Sequence, residues 1–472
     1  MVACGGFHWI VFVAQNFGDM SLPLALGLLA LFCLVAAPQM LAFLLISERL
    51  RFPIERLPVW LRPLFWSALY VSLEYAAHFF KIFPENLGNT LLKFLSLAQA
   101  ASLGGAPLLS FLPLFLGASL YYLRKEGVRA WPSAAAATLL LAALQVWGGF
   151  ERSAVEAVPT EILRVGFVQH NMDEAEKKFA RSSAREVVNI VMERLFEKTK
   201  VLAAAKPRPD LILWAETSYP MTFPTSGLMG KGGSFAYGYA NLLTQVVSET
   251  GVPLLFGGYA SENTGGEGAD QKRRDYNAGL LLGGDGHLLG LYKKQVLLVF
   301  GEYFPFDDWF PSLKEINPMM GDFARGPGPV PVLFPFHGGQ IPLGVNICYE
   351  AILPEYMRGY ALAGARLFVN LTKDSWFGDT FEPWQHFQLS ALRSIEHRIP
   401  MVRSTNTGLS GLVLPTGETK VLSPPFQEAY ETLDVPVPLK PRFTLYTLLG
   451  EWFAWLTILL SVGLGVSALR RL

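Results

Sequence analysis

The side chains best suited to chemistry in this sequence are a cysteine, a glutamate and a lysine, each at the end of an apolar run. Cys348 ends Gly344-Val345-Asn346-Ile347-Cys348, and no other cysteine occurs between residues 151 and 440. Glu216 closely follows an apolar run at 211–214, and Lys294 ends another. A carboxylate can take a thiol proton, and an ammonium group can stabilise negative charge on a carbonyl oxygen. The three residues therefore predict a cysteine nucleophile with Glu216 as its base and Lys294 as its oxyanion stabiliser.

Each of these residues also has an ordinary structural explanation, since a buried cysteine, a glutamate at a helix start and a solvated lysine are all common. Their joint occurrence at the ends of three apolar runs favours catalysis. If Cys348 opens a helix that continues through residues 351–353, the helix N-terminus adds to thiolate stability and provides backbone N–H groups. Tyr349 and Glu350 follow directly, and we expect them either to shape the pocket or to cap this helix.

Long apolar stretches near both ends of the chain predict a membrane protein, because a helix needs about 20 apolar residues to cross a bilayer. The stretches lie at 22–46, 63–80, 104–123, 132–150 and 445–469. The second is weaker because Glu74 and His78 interrupt it. The sequence thus predicts an N-terminal membrane arm at 1–150, a catalytic domain at 160–437 and a C-terminal transmembrane helix at 443–469.

Basic residues predict the orientation of these spans. Lys and Arg accumulate in cytoplasmic loops, and here they cluster at 49–62, 124–129 and 470–471. We therefore expect these three places in the cytoplasm, and alternation of the spans then puts residues 151–440 outside it. The same count places Met1 outside, although no Lys or Arg precedes Arg49.

Composition argues against several other classes of protein. The chain has 39 basic and 39 acidic residues, without a basic face of the kind that binds nucleic acid. Cys4 and Cys33 fall in apolar segments, so the soluble domain has no partner cysteine for a disulfide framework. No pair of histidines has the spacing of metal ligands beside carboxylates. We therefore expect neither a metal nor another cofactor, and interpret His386 as structural or substrate-facing.

The soluble domain has the pattern of a layered α/β fold, with short strand-like runs and amphipathic helical stretches in alternation. Strands are predicted at 162–169, 211–216, 252–259, 278–282, 287–294, 341–348, 366–371, 400–404 and 411–414, and a helix at 184–204. The segment 265–274 is rich in glycine and charged residues, which predicts a hairpin loop or flap.

Five motifs carry a resemblance to one enzyme family. They are Phe300-Gly301-Glu302-Tyr303-Phe304-Pro305 soon after Lys294; Ile347-Cys348-Tyr349-Glu350; Asp374-Ser375-Trp376-Phe377-Gly378-Asp379; Trp384-Gln385-His386-Phe387-Gln388; and Arg403-Ser404-Thr405-Asn406-Thr407-Gly408. The order Glu, Lys, Cys is similar to the catalytic set of the nitrilase, or carbon–nitrogen hydrolase, superfamily. Together with the membrane arm, the motifs resemble bacterial apolipoprotein N-acyltransferases over essentially the whole chain.

This resemblance implies a nitrilase-like α-β-β-α sandwich in a monomeric enzyme of the bacterial cytoplasmic (inner) membrane. It implies transfer of an acyl chain from a membrane phospholipid, through a thioester on Cys348, to a diacylglyceryl-apolipoprotein. The acceptor would be the α-amino group of the lipoprotein's N-terminal diacylglyceryl-cysteine. Glu302 is implied to be a second glutamate that orients Lys294 and assists proton transfer.

Several positions depart from the family pattern. Lys373 stands where asparagine is usual, Phe179 falls near a usual tryptophan, and residues 85–88 replace an aromatic-rich loop. These changes concern lipid contacts more than chemistry. The family has about seven spans before the catalytic domain, whereas this chain shows four and a partial one at 4–14, so about three more are expected ahead of Met1.

Two other functions remain open. One is a membrane-anchored, nitrilase-like amidase or hydrolase in which water resolves the thioester. The other is an inactive lipid-binding scaffold that has kept the fold. The presence of Glu216, Lys294 and Cys348 argues against the scaffold, and a membrane arm with an outward-facing domain argues against the hydrolase.

Overall fold

The N-terminal part of the chain is helical. The structure, a computed structural model, describes residues 5–78, 83, 85–171, 184–225, 235–264, 272–299, 301–303, 309 and 323–470. Its N-terminal helices are Trp9–Asn16, Leu22–Ala36, Pro38–Ile54, Arg62–His78, Leu95–Ala98, Ala101–Glu126 and Trp131–Glu156. Short 3₁₀ helices lie at Val59–Leu61, Leu87–Lys93 and Gly127–Ala130.

The stretch expected to be one helix at 22–46 is divided into two. Ala37 has a ψ of 42°, outside the helical range, and Pro38 has no N–H to donate to the preceding turn. The two helices are bent by 52° relative to each other. By length and composition the pair can still form a single broken span.

Two other helical stretches, Ala101–Glu156 and Trp452–Leu469, are long and apolar enough to cross a membrane. The first reverses at Gly127, whose φ is +62°, and so forms two helices of 26 residues each. Gly104 and Gly105 have non-helical backbone angles, so the first helix is continuous only over residues 106–126. At 1.5 Å per residue that part is about 32 Å long and the second helix about 39 Å, both enough for a hydrocarbon core of about 30 Å. These two helices contain the predicted spans at 104–123 and 132–150.

The weaker predicted span at 63–80 corresponds to the helix Arg62–His78, which has 17 residues; residues 79–80 lie outside the described part of the chain. Apolar side chains point outward from the other helices. Leu34, Leu44, Leu139 and Leu459 are 72%, 61%, 68% and 70% exposed. A large apolar surface is typical of contact with lipid or with another protein.

Twelve strands lie in the described part of the second half of the chain. They are β1 (Thr160–Gln169), β2 (Leu211–Trp214), β3 (Leu254–Thr264), β4 (Lys272–Leu282), β5 (Leu288–Lys293), β6 (Val332–Phe336), β7 (Gly339–Ile347), β8 (Leu367–Thr372), β9 (Met401–Thr405), β10 (Gly411–Val413), β11 (Thr419–Val421) and β12 (Ala429–Pro438). They make two six-stranded sheets, in the orders β12-β1-β2-β3-β4-β5 and β11-β10-β9-β8-β7-β6.

The centre of each sheet is parallel. Strand β1 pairs in parallel with β2, and β2 with β3; in the other sheet β7 pairs in parallel with β8, and β8 with β9. Every residue of β2, β8 and β9 is buried, as expected for parallel strands covered on both faces. Between the sheets, Val165 and Leu213 of one belong to the same apolar core as Val345 and Val369 of the other.

Helices cover the two outer faces. On the first sheet, Met192 and Leu243 of the helices Ala184–Ala204 and Phe235–Thr250 pack with Ile212. The helices Pro354–Leu362 and Glu382–His397 lie beside the second sheet, where the His397 ring is 6.3 Å from the ring of Phe368 on β8. This arrangement confirms the predicted α-β-β-α sandwich.

Polar, aromatic and apolar contacts join the arm to the sandwich, and the apolar ones include Leu109 of the arm with Leu392 of the sandwich. Trp9 Nε1 donates to Gln385 Oε1 at 3.2 Å, and Gln385 in turn donates to Glu85. The Trp9 ring also lies 5.0 Å from the ring of Phe377. The N-terminal helices therefore contact the same edge of the sandwich at which β7 and β8 end.

Candidate active site

Glu216 lies on the turn just after β2, where the backbone of the turn packs closely against the backbone of β3. Thr217, the next residue, has a φ of +50°. The turn is held against β3, because Tyr219 N donates to Gly257 O at 3.0 Å and Gly257 N donates to Ala215 O at 3.2 Å. A Cβ at position 257 would lie 2.5 Å from the Cα of Glu216. Glycine at 257 therefore allows β3 to hold Glu216 in place.

Lys294 follows β5 and is held through its backbone. Its N–H donates to Asn277 O and its carbonyl accepts from Gly326 N, both at 2.8 Å. The side chain is only 2% exposed; its Nζ lies 2.8 Å from Oε2 of Glu302 and 3.5 Å from Oε1 of Glu216. The structure thus brings three of the sequence-predicted residues, Glu216, Lys294 and Glu302, into one buried cluster.

Asn277 on β4 ties the two carboxylates together. Its Nδ2 donates to Oε1 of Glu216 at 2.8 Å and to Oε1 of Glu302 at 2.9 Å. Sequence reasoning missed this residue. The available signal was a polar side chain that immediately precedes the buried run 278–282, because such a side chain is expected to have a hydrogen-bond partner.

Burial and neighbouring charges shift the pKa values of Glu216 and Lys294 and so give the two side chains different roles. Burial raises the pKa of Glu216, and the Glu302 carboxylate adds to this, while Lys294, the bond from Asn277 and Lys373 oppose it. Burial alone would lower the pKa of Lys294, but Glu302 and Glu216 overcome it and raise that pKa above its ordinary value. Lys294 therefore stays cationic, and Glu216 is the group with basicity to take a proton.

Cys348 begins a 3₁₀ helix of five residues, Cys348–Ile352, and its φ is +52°. The sequence left open that Cys348 begins a helix through residues 351–353; it does begin a helix, but a short 3₁₀ helix that ends at Ile352, and the next α-helix begins at Pro354. Burial raises the pKa of the thiol and the Glu216 charge adds to this; Lys294 and a hydrogen bond with Thr372 act in the other direction. The thiol is therefore protonated at rest and needs a base.

Glu350 connects the backbone around Lys294 to the backbone around Cys348. Its Oε1 accepts from Gln295 N at 2.8 Å and Val296 N at 2.9 Å, and its Oε2 accepts from Ile347 N at 2.8 Å. Tyr292 Oη donates to the same Oε2 at 2.5 Å. The sequence left two roles open for Glu350, which were to shape the pocket or to cap the helix. The geometry adds a third role, because Glu350 links the two segments that carry Lys294 and Cys348.

Three further predicted positions, Tyr349, Lys373 and the segment 85–88, lie in the described part of the chain. The Tyr349 ring packs edge-on against Phe83 of the arm, with ring centroids 5.9 Å apart, so it shapes the wall between arm and sandwich. Lys373 is half-buried, and its Nζ lies 5.3 Å from the centre of the Trp376 ring. In the segment 85–88, Glu85 accepts from Gln385. Phe179 lies outside the described residues.

A second buried cluster lies next to Cys348. Asp374, Glu382 and His386 have ligand atoms within 4.8 Å of one another, a set of types that suits a metal ion. Arg403 Nη2, however, lies 3.0 Å from both Asp374 Oδ2 and His386 Nδ1. Burial and the Asp374 charge raise the pKa of Glu382 well above its ordinary value. The guanidinium thus supplies the positive charge here, and these residues do not fit a divalent cation.

Two facing sheets with helices outside them and a buried Glu–Lys–Cys cluster at the strand ends define a protein of the carbon–nitrogen hydrolase class. The family described as Carbon-nitrogen hydrolase matches residues 164–432. The Apolipoprotein N-acyltransferase N-terminal domain matches residues 1–119. The chain belongs to the apolipoprotein N-acyltransferase family.

Relatives with that name support the assignment over nearly the whole chain. The apolipoprotein N-acyltransferase of Bdellovibrio bacteriovorus is 32% identical over 467 residues, which are 97% of this chain and 82% of that protein. The protein of the same name from Azotobacter vinelandii is 32% identical over 99% of this chain and 84% of its own length. Among solved structures, an amidase from Nesterenkonia sp. is 18% identical, with a TM-score of 0.40 over 59% of this chain and 93% of the amidase.

Proposed function

We propose that this protein is an apolipoprotein N-acyltransferase that works through a thioester on Cys348. The acyl donor is a membrane phospholipid, and the acceptor is the free α-amino group of a diacylglyceryl-cysteine at the N-terminus of a lipoprotein. Family membership and the near full-length relatives support the reaction. The observation that supports the assignment of residues is the buried cluster in which Lys294 lies 3.5 Å from Glu216 while both charges act on the Cys348 thiol.

In the first half-reaction the Cys348 sulfur attacks the carbonyl carbon of the donor ester, and its proton passes to Glu216. Lys294 stabilises the negative charge that develops on the carbonyl oxygen. The C–O bond then breaks, Glu216 returns the proton to the departing oxygen, and a lysophospholipid leaves. The acyl chain remains on Cys348 as a thioester.

In the second half-reaction the lipoprotein amine attacks the thioester carbon. Glu216 accepts a proton from the amine, Lys294 again faces the oxyanion, and the C–S bond breaks as the sulfur recovers a proton. The products are an N-acylated lipoprotein and free Cys348, so atoms balance without water, metal or redox change. Glu302 and Asn277 hold Lys294 and Glu216 in position through the bonds described above.

The arm supports an orientation with the sandwich outside the cytoplasm. Lys125 pairs with Glu55 at 2.8 Å and Arg62 with Glu126 at 3.1 Å, so two of the three basic segments meet at one end of the arm. Ala468 packs in one cluster with Ile54, which brings Arg470 to the same end. The helices Trp131–Glu156 and Trp452–Leu469 lead from there towards the sandwich. This end is the cytoplasmic one by the distribution of basic residues.

The proposed organisation is a membrane arm at 1–150, a catalytic domain at 160–437 and a C-terminal span at 443–469, in the bacterial inner membrane. The protein is proposed to act as a monomer. Exposed aromatic side chains, Trp376, Phe381 and Trp384, follow the strand that ends beside Cys348. A nucleophile above the bilayer and beside such a surface is placed to receive both lipids from the membrane.

The test uses purified full-length protein, a phospholipid with one labelled acyl chain and a synthetic diacylglyceryl-cysteine peptide. Without peptide, wild type is expected to carry one acyl chain on Cys348 by mass spectrometry, and Cys348→Ala none. With peptide, the label should move to the peptide amine, but not to a peptide whose amine is acetylated. Free fatty acid as the main product would support the hydrolase instead, and absence of any acyl-enzyme would support the scaffold.

A further inference from the structure

Two buried side chains outside the Glu–Lys–Cys cluster reach the backbone carbonyl oxygen of Cys348. Nδ2 of Asn370 on β8 and Nε2 of His386 each lie 3.3 Å from that oxygen. The two residues are 0% and 3% exposed. A carbonyl oxygen only accepts hydrogen bonds, so Nε2 of His386 carries the hydrogen in this contact. Two hydrogen-bond donors therefore hold the peptide group between Cys348 and Tyr349 through its carbonyl oxygen.

Arg403 on β9 organises both donors. Its Nη1 donates to Oδ1 of Asn370 at 2.7 Å, and its Nη2 lies 3.0 Å from Nδ1 of His386. Because arginine only donates, Nδ1 of His386 accepts, which fixes the neutral tautomer with hydrogen on Nε2. Burial and the Arg403 charge lower the pKa of His386, in agreement with this neutral form.

The adjacent carboxylate of Asp374 balances the charge of Arg403. The Asp374 carboxylate oxygens lie 3.1 and 3.0 Å from Nη2 of Arg403, and both residues are fully buried. Gly408 makes room for this carboxylate, because a Cβ at 408 would lie 1.8 Å from Oδ2 of Asp374. The planar guanidinium fork reaches Asn370, His386 and Asp374 at once, which a lysine ammonium does not.

The backbone conformation of Cys348, which these residues stabilise, is an uncommon one. Cys348 has a φ of +52°, a region that non-glycine residues enter rarely and keep only where the surroundings impose it. In a trans peptide the N–H of the next residue points opposite to the carbonyl. By fixing the Cys348 carbonyl, the two donors also fix the direction of the Tyr349 N–H, which belongs to the same peptide group.

We propose that Arg403 is a positioning residue for the nucleophile: acting through Asn370 and His386, it holds the Cys348–Tyr349 peptide in the orientation that catalysis needs. The proposal deepens the proposed function and rests on it only where acyl transfer is the readout. A misplaced reacting group typically costs about 10²-fold in rate without a matching loss of substrate binding.

The test compares four variants of the full-length protein: Arg403→Lys, His386→Leu, His386→Gln and Arg366→Lys. Glutamine keeps an N–H at the reach of His386 Nε2, whereas leucine removes it. Arg366 is a matched control, because it also pairs with a carboxylate, Glu161 at 2.9 Å, but precedes β8 at the opposite end from the site. Two quantities are measured: the rate of acyl-enzyme formation against phospholipid concentration, and the rate at which iodoacetamide alkylates Cys348 in a Cys4→Ser, Cys33→Ser background.

Arg403→Lys and His386→Leu are expected to lose about 10²-fold in the maximal rate with a KM within about 3-fold of wild type, and to alkylate at an altered rate. His386→Gln should recover most of the loss, and Arg366→Lys should behave as wild type. If Arg403→Lys does not fold, the two His386 variants decide the question. Wild-type rates in His386→Leu, or equal losses in its glutamine counterpart, would overturn the proposal. If wild type itself forms no acyl-enzyme, the proposed function fails, and alkylation still tests the positioning role.

Discussion

Nζ of Lys294 lies 2.8 Å from Oε2 of Glu302, and the two side chains are only 2% and 13% exposed. A lysine buried without a partner would lose its charge. Here Glu302, with Glu216 3.5 Å away, keeps the ammonium charged inside the protein. This pair explains how a buried lysine can act as a fixed positive charge for the oxyanion instead of acting as a base.

Replacement of Lys294 by methionine should therefore reduce acyl-enzyme formation by at least ~10²-fold, the usual cost of a lost oxyanion donor. Lys293 is the matched control: it is the preceding residue, but it pairs with Glu262 and lies 4.6 Å from the Tyr276 ring, away from the cluster. Lys293→Met should retain a near-normal rate in single-turnover measurements with labelled phospholipid. Similar rates for the two variants would require a different electrophile.

The pH dependence of acyl-enzyme formation should reflect Glu216. The base must be ionised, so the rate falls as pH falls through the Glu216 pKa, which burial raises above the ordinary glutamate value. Lys373 lowers this pKa, so Lys373→Met should move the acidic limb of the pH–rate profile to higher pH. Lys373→Arg keeps the charge and should leave the limb in place. An acidic limb that is the same in all three proteins would exclude Glu216 as the titrating base.

Glu350→Gln should disturb the site without removing a group that touches substrate. An amide offers one acceptor oxygen, whereas the Glu350 carboxylate accepts from three backbone N–H groups and Tyr292. We expect a rate loss of about 10²-fold and a loss of about 1–3 kcal/mol in the free energy of unfolding. Glu355→Gln, at an exposed glutamate in the next helix, is the control and should change neither quantity. Chemical denaturation and single-turnover rates measure both.

Cysteine labelling should establish the orientation. In a Cys4→Ser, Cys33→Ser, Cys348→Ala background, Lys420→Cys places the single thiol on an exposed strand of the sandwich, and Val128→Cys places it at the basic end of the arm, where Val128 is 79% exposed. With the outer envelope opened, a membrane-impermeant maleimide should label position 420 but not 128 in intact cells. Both should label after the membrane is dissolved. Labelling of 128 alone would reverse the proposed topology.

The sequence by itself determined the class of fold, and it predicted which side chains react. Strand β8 was predicted at 366–371 and lies at 367–372, because a central parallel strand is buried on both faces and therefore reads as a continuous apolar run. Strands β3 and β4 were predicted too short, ending at 259 and beginning at 278. They extend to Thr264 and from Lys272, because antiparallel pairing also holds polar, exposed residues that carry no apolar signal.

The tertiary structure alone decided how the reactive groups are held. Asn277 contacts Glu216 within the first sheet, and Asn370, bonded to Arg403, contacts Cys348 within the second, so these contacts depend on the order and register of the strands in each sheet. Cys348 begins a helix, as the sequence allowed, but neither its left-handed φ nor the 3₁₀ form of that helix could be read from the sequence. Side-chain type and hydrophobic period are local properties and can be read along the chain. Distances of 3 Å between residues far apart in sequence arise only from packing, and here that packing sets the charges and orientations of the proposed site.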